Sequence, residues 1–257
     1  MGERRQLGGT SSRTALRLVS SFLSAAALAI SVLLAAGTPV SAAGPCAGSG
    51  SWFAGWYSGG AAPAHEPEGV KASLLYRDGD GCSAAVGGSK GRGAWVMIQG
   101  KNQATRYVQS GYWMFGNAFD CWHHFSEYNN GGGTVAKEGP CTNLNQVHVP
   151  LVKYIPNPAR TELWIDSLRL DVMNSCVCAF ARPLWVDYLG ESQDTHSDVP
   201  GLSATKGEWS SMQIQYFTDN TWHGTCVTIT LFKDVTLARY AADAPACNDT
   251  RSWTATP

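Results

Sequence analysis

The sequence of 257 residues is poor in charged side chains. Asp, Glu, Lys and Arg make up 15% of it and the formal net charge is −1, whereas charged residues make up about 25% of an average soluble protein. Without a basic surface, the chain lacks what non-specific nucleic-acid binding or a polybasic membrane contact requires. Hydrophobic residues make up 44% and aromatic residues 11%, which excludes intrinsic disorder. An ordered protein rich in Trp and Gly remains.

Helical periodicity and cofactor motifs are also missing. No window of about 12 residues repeats apolar side chains with the spacing of an amphipathic helix. The chain has no His-Glu-x-x-His, no paired zinc-type cysteine motif and no glycine loop that leads into a helix. The sequence therefore predicts neither a helical protein nor a metal or cofactor site.

Residues 1–43 have the pattern of a secretory signal peptide. The charge-free run from Leu18 to Ala36 is followed by small residues up to Ala43, which predicts cleavage after Ala42 or Ala43. Basic residues precede this run: Arg4, Arg5, Arg13 and Arg17. An uncleaved membrane anchor is the alternative, because the run approaches the length that spans a bilayer. We expect a secreted, extracellular protein, and the Arg4-Arg5 pair leaves the export route open between the general and twin-arginine pathways.

The cysteines support export independently. All eight lie after the predicted cleavage site: Cys46, Cys82, Cys121, Cys141, Cys176, Cys178, Cys226 and Cys247. An even number is typical of disulfide bonds in an oxidising compartment, but it leaves the pairing open. Cys176-Val177-Cys178 lacks the C-x-x-C spacing of a redox or zinc motif, so we expect structural disulfides.

Strand patterns are abundant in the mature chain. Runs of β-branched and aromatic residues alternate with Gly, Asn, Asp and Pro clusters, as in an all-β domain. We predict a loose N-terminal segment over 44–67 and one disulfide-stabilised β-sandwich over 68–257, jelly-roll-like, with a closed barrel as the alternative. The predicted strands are Ala94–Gln99, Tyr107–Phe115, Cys121–Tyr128, Val147–Ile155, Thr161–Asp166, Arg169–Met173, Val177–Ala181, Leu184–Leu189, Met212–Phe217 and Cys226–Phe232.

Several predicted strands place an aromatic residue near a polar one. Successive strand residues point to opposite faces, and a face with a ring beside an amide, carboxylate or imidazole suits a sugar, because the ring stacks while the polar group binds hydroxyls. The candidate ligand-binding residues are Gln109, Trp113, Trp122, His124, Trp164 and Trp185. The alternative is that these aromatic residues fill the core.

Two glutamates could serve as a catalytic pair. Glu127 lies on an aromatic strand beside His123, and Glu208 precedes Trp209. Most glycosidases need two carboxyl groups across the scissile bond, and burial by aromatic residues would raise one pKa. Asp166 and Asp187 are lesser candidates. Solvent-exposed carboxylates at strand ends are the alternative.

Four short stretches carry a resemblance to known sequences. They are Ala94-Trp95-Val96-Met97-Ile98, Tyr107-Val108-Gln109-Ser110-Gly111-Tyr112, Cys121-Trp122-His123-His124-Phe125, and Gly190-Glu191-Ser192-Gln193-Asp194 with Pro200-Gly201. Over about half of the mature chain, this succession resembles secreted actinobacterial proteins of unknown function. The resemblance implies export and a β-rich fold, but no catalytic residues.

Three hypotheses on function follow. The first is an extracellular domain that binds polysaccharide without catalysis, with no nucleic-acid or cofactor partner and no membrane contact after cleavage. The second is a retaining glycoside hydrolase that uses Glu127 and Glu208. The third is a secreted structural or interaction protein whose tryptophans all lie in the core.

Overall fold

Antiparallel strands make up most of the chain in a computed structural model, which describes residues 51–57, 65–79, 91–101, 105–114, 121–193, 199–226, 230–233 and 240–255. These strands form two sheets packed face to face, which confirms the prediction of an all-β sandwich. The predicted signal peptide, Cys46 and Cys82 lie outside the described residues. No helix in the described ranges has the length and apolar character needed to cross a membrane.

One sheet has seven strands. They are β1 (Trp52–Tyr57), β3 (Arg92–Gln99), β4 (Tyr107–Met114), β5 (His123–Asn129), β6 (Thr134–Cys141), β11 (Trp185–Ser192) and β15 (Thr230–Lys233). They lie side by side in the order β15-β1-β11-β3-β4-β5-β6. The strands from β3 to β6 follow one another as a meander. Strand β11 pairs with β3 from a distant part of the sequence, and β1 lies between β11 and β15.

The other sheet has ten strands. They are β2 (Pro67–Leu75), β7 (Val147–His148), β8 (Pro150–Pro156), β9 (Ala159–Ile165), β10 (Leu168–Met173), β12 (Gly201–Leu202), β13 (Thr205–Tyr216), β14 (Trp222–Gly224), β16 (Tyr240–Ala246) and β17 (Asp249–Thr254). Its strands lie in the order β10-β9-β8-β2-β13-β12-β17-β16. In addition, β13 pairs with β17 and with β14, and β2 pairs with β7.

The core lies between the inner faces of the two sheets. Successive residues of a strand point to opposite sides of its sheet, so every second residue of each sheet points into the core and packs against the other sheet. The core includes Val96, Ile98, Tyr112 and Tyr188 from the first sheet, and Val70, Leu74, Leu163, Trp209 and Ile214 from the second. Polar side chains at this boundary bond to the opposite sheet: Trp209 Nε1 donates to the carbonyl of Trp95 at 3.2 Å, and the Tyr188 hydroxyl donates to the carbonyl of Gln213 at 3.0 Å.

Most predicted strands are confirmed within a few residues, but one is wrong. Val177–Ala181 is not a strand, because Val177–Ala179 forms a 3-10 turn. A disulfide joins Cys176 to Cys178 with a Cα–Cα distance of 4.9 Å, too short for residues two apart on an extended chain. For the predicted strand Cys226–Phe232, the structure has β15 from Thr230, and residues 227–229 lie outside the described ranges.

The structure contains strands that the sequence did not predict. They are β1, β2, β6, β12, β14, β16 and β17. Strand β1 lies within the segment 44–67 that we predict to be loose, and it pairs with both β11 and β15. Strand β6 was missed because its sequence has Gly139 and Pro140 and little hydrophobic character, features that usually argue against a strand.

Disulfide bonds confirm that the protein is disulfide-stabilised. The described pairs are Cys121–Cys141, Cys176–Cys178 and Cys226–Cys247. The first of these connects the residues before β5 to the end of β6, which lies at the edge of the seven-stranded sheet.

Gly111 should be essential for the close approach of β3 and β4. A Cβ atom at this position would lie 2.0 Å from the Ala94 carbonyl oxygen and 2.6 Å from Trp95 Cα. Since backbone atoms cannot move aside as a flexible side chain can, we expect Gly111→Ala to lower the free energy of unfolding by about 3 kcal/mol. Urea denaturation measures this change. The control is Gly132→Ala, whose added Cβ would meet only the Asn130 side chain at 3.3 Å and should cost less than about 1 kcal/mol.

Candidate functional site

Carboxyl and amide side chains collect on the outer face of the seven-stranded sheet. Directly opposed residues of antiparallel strands point to the same side, and the register aligns Asp187 with Met97, Met97 with Gln109, and Gln109 with Glu127. The residues between them, such as Val96 and Tyr188, face the core. We call this surface the acidic face, defined by Gln99, Gln109, Glu127, Asp187 and Glu191 together with Trp95 and Tyr107.

Glu191 is the most strongly enclosed glutamate of the acidic face. It is 8% exposed, and its Oε2 accepts a hydrogen bond of 3.0 Å from Trp95 Nε1. Burial raises the pKa of Glu191 from 4.5 to about 7, the bonds from Ser51 and Trp95 oppose that rise, and the negative charge of Glu127 adds to it. Glu191 therefore keeps its proton in weakly acidic solution.

Asp187 forms a buried pair with Gln99. The aspartate is fully buried, and Gln99 Nε2 donates to its Oδ2. Burial raises the pKa of Asp187 well above its ordinary value, although the bond from Gln99 lowers it. Within the described residues, Asp187 Oδ1 and Gln99 Oε1 have no hydrogen-bond donor, and a proton on the carboxyl group supplies one. The pair is thus suited to a neutral aspartic acid.

Glu127 is the more accessible glutamate of the acidic face. Its Oε1 accepts a hydrogen bond from the Tyr107 hydroxyl. Burial raises the pKa of Glu127, and the bond from Tyr107 lowers it. The charges of both Glu127 and Glu191 help to raise the pKa of Tyr107, so the three side chains interact although their strands lie at different positions in the sheet.

Gln109 supplies an amide next to these carboxyl groups. It is 6% exposed and lies directly across from Glu127 in the register. Its side chain makes no hydrogen bond within the part of the chain that the structure describes. Because a buried amide normally satisfies its donors and acceptor, Gln109 has hydrogen-bonding capacity that the described residues do not use.

Two glycines shape the surface around the tryptophans. A Cβ on Gly93 would meet the Trp113 ring at 2.4 Å, and a Cβ on Gly111 would meet Trp95 Cβ at 2.8 Å. Both positions must therefore lack a side chain: Gly93 lies against the Trp113 ring, and Gly111 lies against Cα and Cβ of Trp95, the residue whose Nε1 donates to Glu191.

The six predicted ligand-binding residues do not form one surface. Gln109, Trp113 and Trp185 lie on the outer side of the seven-stranded sheet. Trp122 is 4% exposed and belongs to the core, and His124 also faces inward, with Nδ1 3.3 Å from the Tyr76 hydroxyl. Trp164 is on the other sheet, where its Nε1 donates to Glu162 at 3.1 Å and the Arg169 guanidinium lies 5.8 Å from its ring.

The predicted catalytic pair is also separated. Glu127 points outward from the seven-stranded sheet, whereas Glu208 belongs to β13 of the other sheet. The neighbour of Glu208, Trp209, is fully buried in the core, so Glu208 points away from the first sheet and lies 3.9 Å from Arg251 Nε. The two carboxyl groups thus lie on opposite sides of the sandwich and cannot flank one scissile bond.

The sequence reasoning missed Glu191, Trp95 and Gln99, and ranked Asp187 only as a lesser candidate. The predicted strand ended at Leu189, but β11 continues to Ser192. Every second residue of this strand lies on the outer side: Trp185, Asp187 and Leu189. If the strand is extended by two residues, the same alternation places Glu191 on that side, so the sequence contained a signal for it.

One cluster has the spacing of a metal site among the described residues. It consists of Cys121, His123 and Cys141. The two sulfurs are joined in a disulfide, so they carry no thiolate charge with which to bind an ion.

Comparison with known proteins identifies the fold. The sequence matches no family profile and no curated protein. The structure resembles a crystal structure of scytalido-glutamic peptidase with a peptide-based transition-state analogue, with a TM-score of 0.56 and 10% sequence identity. It also resembles SCP-B, a member of the eqolisin family of peptidases in complex with the tripeptide Ala-Ile-His, with a TM-score of 0.53 and 9% identity. Each likeness covers 80% of this chain and 100% of the other.

These likenesses overturn the predicted function. At 9–10% identity they show the fold alone, and that fold is the one found in solved peptidases. The hypothesis of a non-catalytic polysaccharide-binding domain is wrong, and the dispersal of its six candidate residues gives the physical reason. The separation of Glu127 from Glu208 removes the glycosidase alternative.

The raised pKa of Glu191 should make stability depend on pH. Because the folded pKa of about 7 lies above the ordinary 4.5, the neutral carboxyl contributes stability that is fully present below pH 4.5 and is lost as the pH rises through 7. The shift corresponds to about 3 kcal/mol. We expect Glu191→Gln to remove this part of the pH dependence in urea denaturation series between pH 4 and 8.

Glu208→Gln, on the other sheet, is the matched control. Its free energy of unfolding should depend on pH as that of the wild type does. If Glu191→Gln also kept the wild-type pH dependence, Glu191 would not retain its proton between pH 4.5 and 7 in the folded protein, and its pKa would not be raised.

Proposed function

We propose that the protein is a peptidase that acts in acidic solution and has its active site on the acidic face. The observation that carries this proposal is Glu191, a buried carboxyl group with a pKa of about 7 held by Trp95. The fold supports it, since similar structures are glutamic peptidases that were solved with a tripeptide or with transition-state analogues. Strongly shifted carboxyl groups are typical of catalytic acids and bases.

Glu191 is the proton donor in this proposal. Below pH 7 its carboxyl group is neutral, so it can pass a proton to the nitrogen of the scissile peptide bond as that bond breaks. Trp95 Nε1 donates to Oε2 of Glu191, and this hydrogen bond helps to fix the orientation of the carboxyl group.

Glu127 is the group that activates water. It is less enclosed than Glu191 and accepts a hydrogen bond from Tyr107, and both features favour its ionised form relative to Glu191. Two carboxyl groups whose surroundings separate their pKa values can divide the roles of acid and base. The ionised Glu127 takes a proton from the water that attacks the peptide carbonyl carbon.

Gln109 stabilises the oxyanion. Its amide lies across from Glu127 and has no hydrogen bond within the described residues. The Nε2 group can therefore donate to the carbonyl oxygen as negative charge develops on it, which is the usual role of such an amide in acyl transfer. The absence of Lys or Arg from the described positions of this face leaves an amide as the available donor there.

Single substitutions on the acidic face test this assignment. Peptide release from an unfolded protein substrate, followed by mass spectrometry between pH 3 and 8, gives the rate. We expect Glu191→Gln to lower it by about 10³-fold, because the proton donor is lost, and Gln109→Ala by about 10²-fold. The wild-type rate should fall as the pH rises through 7, since Glu191 then loses its proton.

Glu208→Gln lies on the opposite side of the sandwich and should keep the wild-type rate. Wild-type activity in a folded Glu191→Gln variant would remove Glu191 from the mechanism. An absence of peptide release by the wild type over the whole pH range would contradict the proposed function.

A further inference from the structure

The disulfide between Cys176 and Cys178 differs from the other described disulfides in the size of its ring. Only Val177 separates the two cysteines, whereas Cys121–Cys141 and Cys226–Cys247 span 20 and 21 positions. Because a disulfide stabilises a fold largely by closing a loop in the unfolded chain, and more so for a longer loop, Cys176–Cys178 should contribute less by loop closure than the other two described bonds. Loop closure therefore gives little reason for a disulfide at this position.

The two sulfurs differ in accessibility. Cys176 is 8% exposed and lies next to Val177, which is fully buried in the core. Cys178 is exposed. Phe180, 3% exposed, anchors the other side of the turn. A thiol that approaches from solution therefore meets Cys178 first, while the core holds the turn in place.

The buried sulfur has a donor that suits a leaving thiolate. The backbone N–H of Cys178 donates to Cys176 Sγ at 2.9 Å. A hydrogen bond to the charged form favours that form, and a better-stabilised thiolate leaves faster in disulfide exchange. Burial of Cys176 acts in the opposite direction, so this N–H is the feature that makes Cys176 able to leave.

We propose that Cys176–Cys178 is a redox-active site that exchanges with low-molecular-weight thiols. The thiolate sulfur of the small thiol forms a bond to Cys178 Sγ, the Cys176–Cys178 bond breaks, and its electron pair leaves on Cys176 Sγ. A second small thiolate then attacks the small-thiol sulfur of the mixed disulfide. The products are the reduced Cys176 and Cys178 pair and one oxidised small disulfide, so two thiols supply the two electrons.

The turn also favours the reverse reaction. Val177 and Phe180 are both buried in the core, so we expect the two thiols to stay close after reduction, and the second step of ring closure is intramolecular. A small disulfide in solution restores the bond through the same mixed intermediate. The site is thus suited to reversible exchange while the sandwich remains folded.

Thiol titration of the folded full chain tests the proposal. The protein is equilibrated with increasing reduced glutathione, quenched in acid and alkylated, and each cysteine is assigned by peptide mass spectrometry. We expect Cys176–Cys178 to be half reduced at a thiol concentration at least about tenfold lower than Cys121–Cys141 and Cys226–Cys247, with the glutathione adduct on Cys178. Earlier reduction of either other pair, or an adduct mainly on Cys176, would overturn the proposal.

A double variant tests separately whether the Cys176–Cys178 bond contributes little to stability. Cys176→Ala with Cys178→Ala should shift the melting temperature less than Cys121→Ala with Cys141→Ala does, because its closed loop is far shorter. A Cys176→Ala and Cys178→Ala variant that does not fold would show that this disulfide is a structural one, and would also overturn the proposal. Neither measurement depends on peptidase activity.

Discussion

The acidic face depends on one constraint: three carboxyl groups are enclosed on the same side of a sheet, and none of the described residues of that side is a Lys or Arg. An ionised carboxylate in such surroundings costs several kcal/mol unless it is paired, and the groups that contact Glu191 and Asp187 are the neutral donors Trp95 and Gln99. Both groups respond by retaining a proton, and the charge of Glu127 makes ionisation of Glu191 harder still. A site of this kind is most stable, and in our proposal most active, when the solution is acidic.

The sandwich makes this arrangement possible because one side of the seven-stranded sheet packs in the core and the other side carries the polar residues. The inner residues of β3 and β11, such as Val96 and Tyr188, fill the core, and this fixes the register of the strands. The outer residues then fall into rows that align Asp187 with Gln109 and Glu127. Since a shift of one residue would exchange the two sides, the packing of the core holds this row of polar residues in place. The likeness to glutamic peptidases concerns this framework.

The sequence was sufficient to predict β3, β4 and β5 of the meander, but not β6, and to show which residues of a strand share a face. Gln109 and Glu127 were both predicted as candidates, for a sugar site and for a glycosidase pair, and alternation along β4 and β5 places them on one face. Glu191 was missed, since its importance comes from burial against Trp95, and that contact forms between strands far apart in sequence. Trp122 and His124 were assigned to a ligand surface because alternation separates two faces without showing which one is the core. The strand predicted at Val177 failed because pairing of Cys176 with Cys178 could not be deduced from spacing.

The most direct test of the account is the protonation state of Glu191 itself. Carbon-13 labelling of glutamate side chains, with assignment by the Glu191→Gln variant, allows the carboxyl signal to be followed by NMR from pH 3 to 9. The account predicts a midpoint near 7, which moves to lower pH in Glu127→Gln because a neighbouring negative charge has been removed. A midpoint near the ordinary 4.5, unchanged by Glu127→Gln, would contradict it.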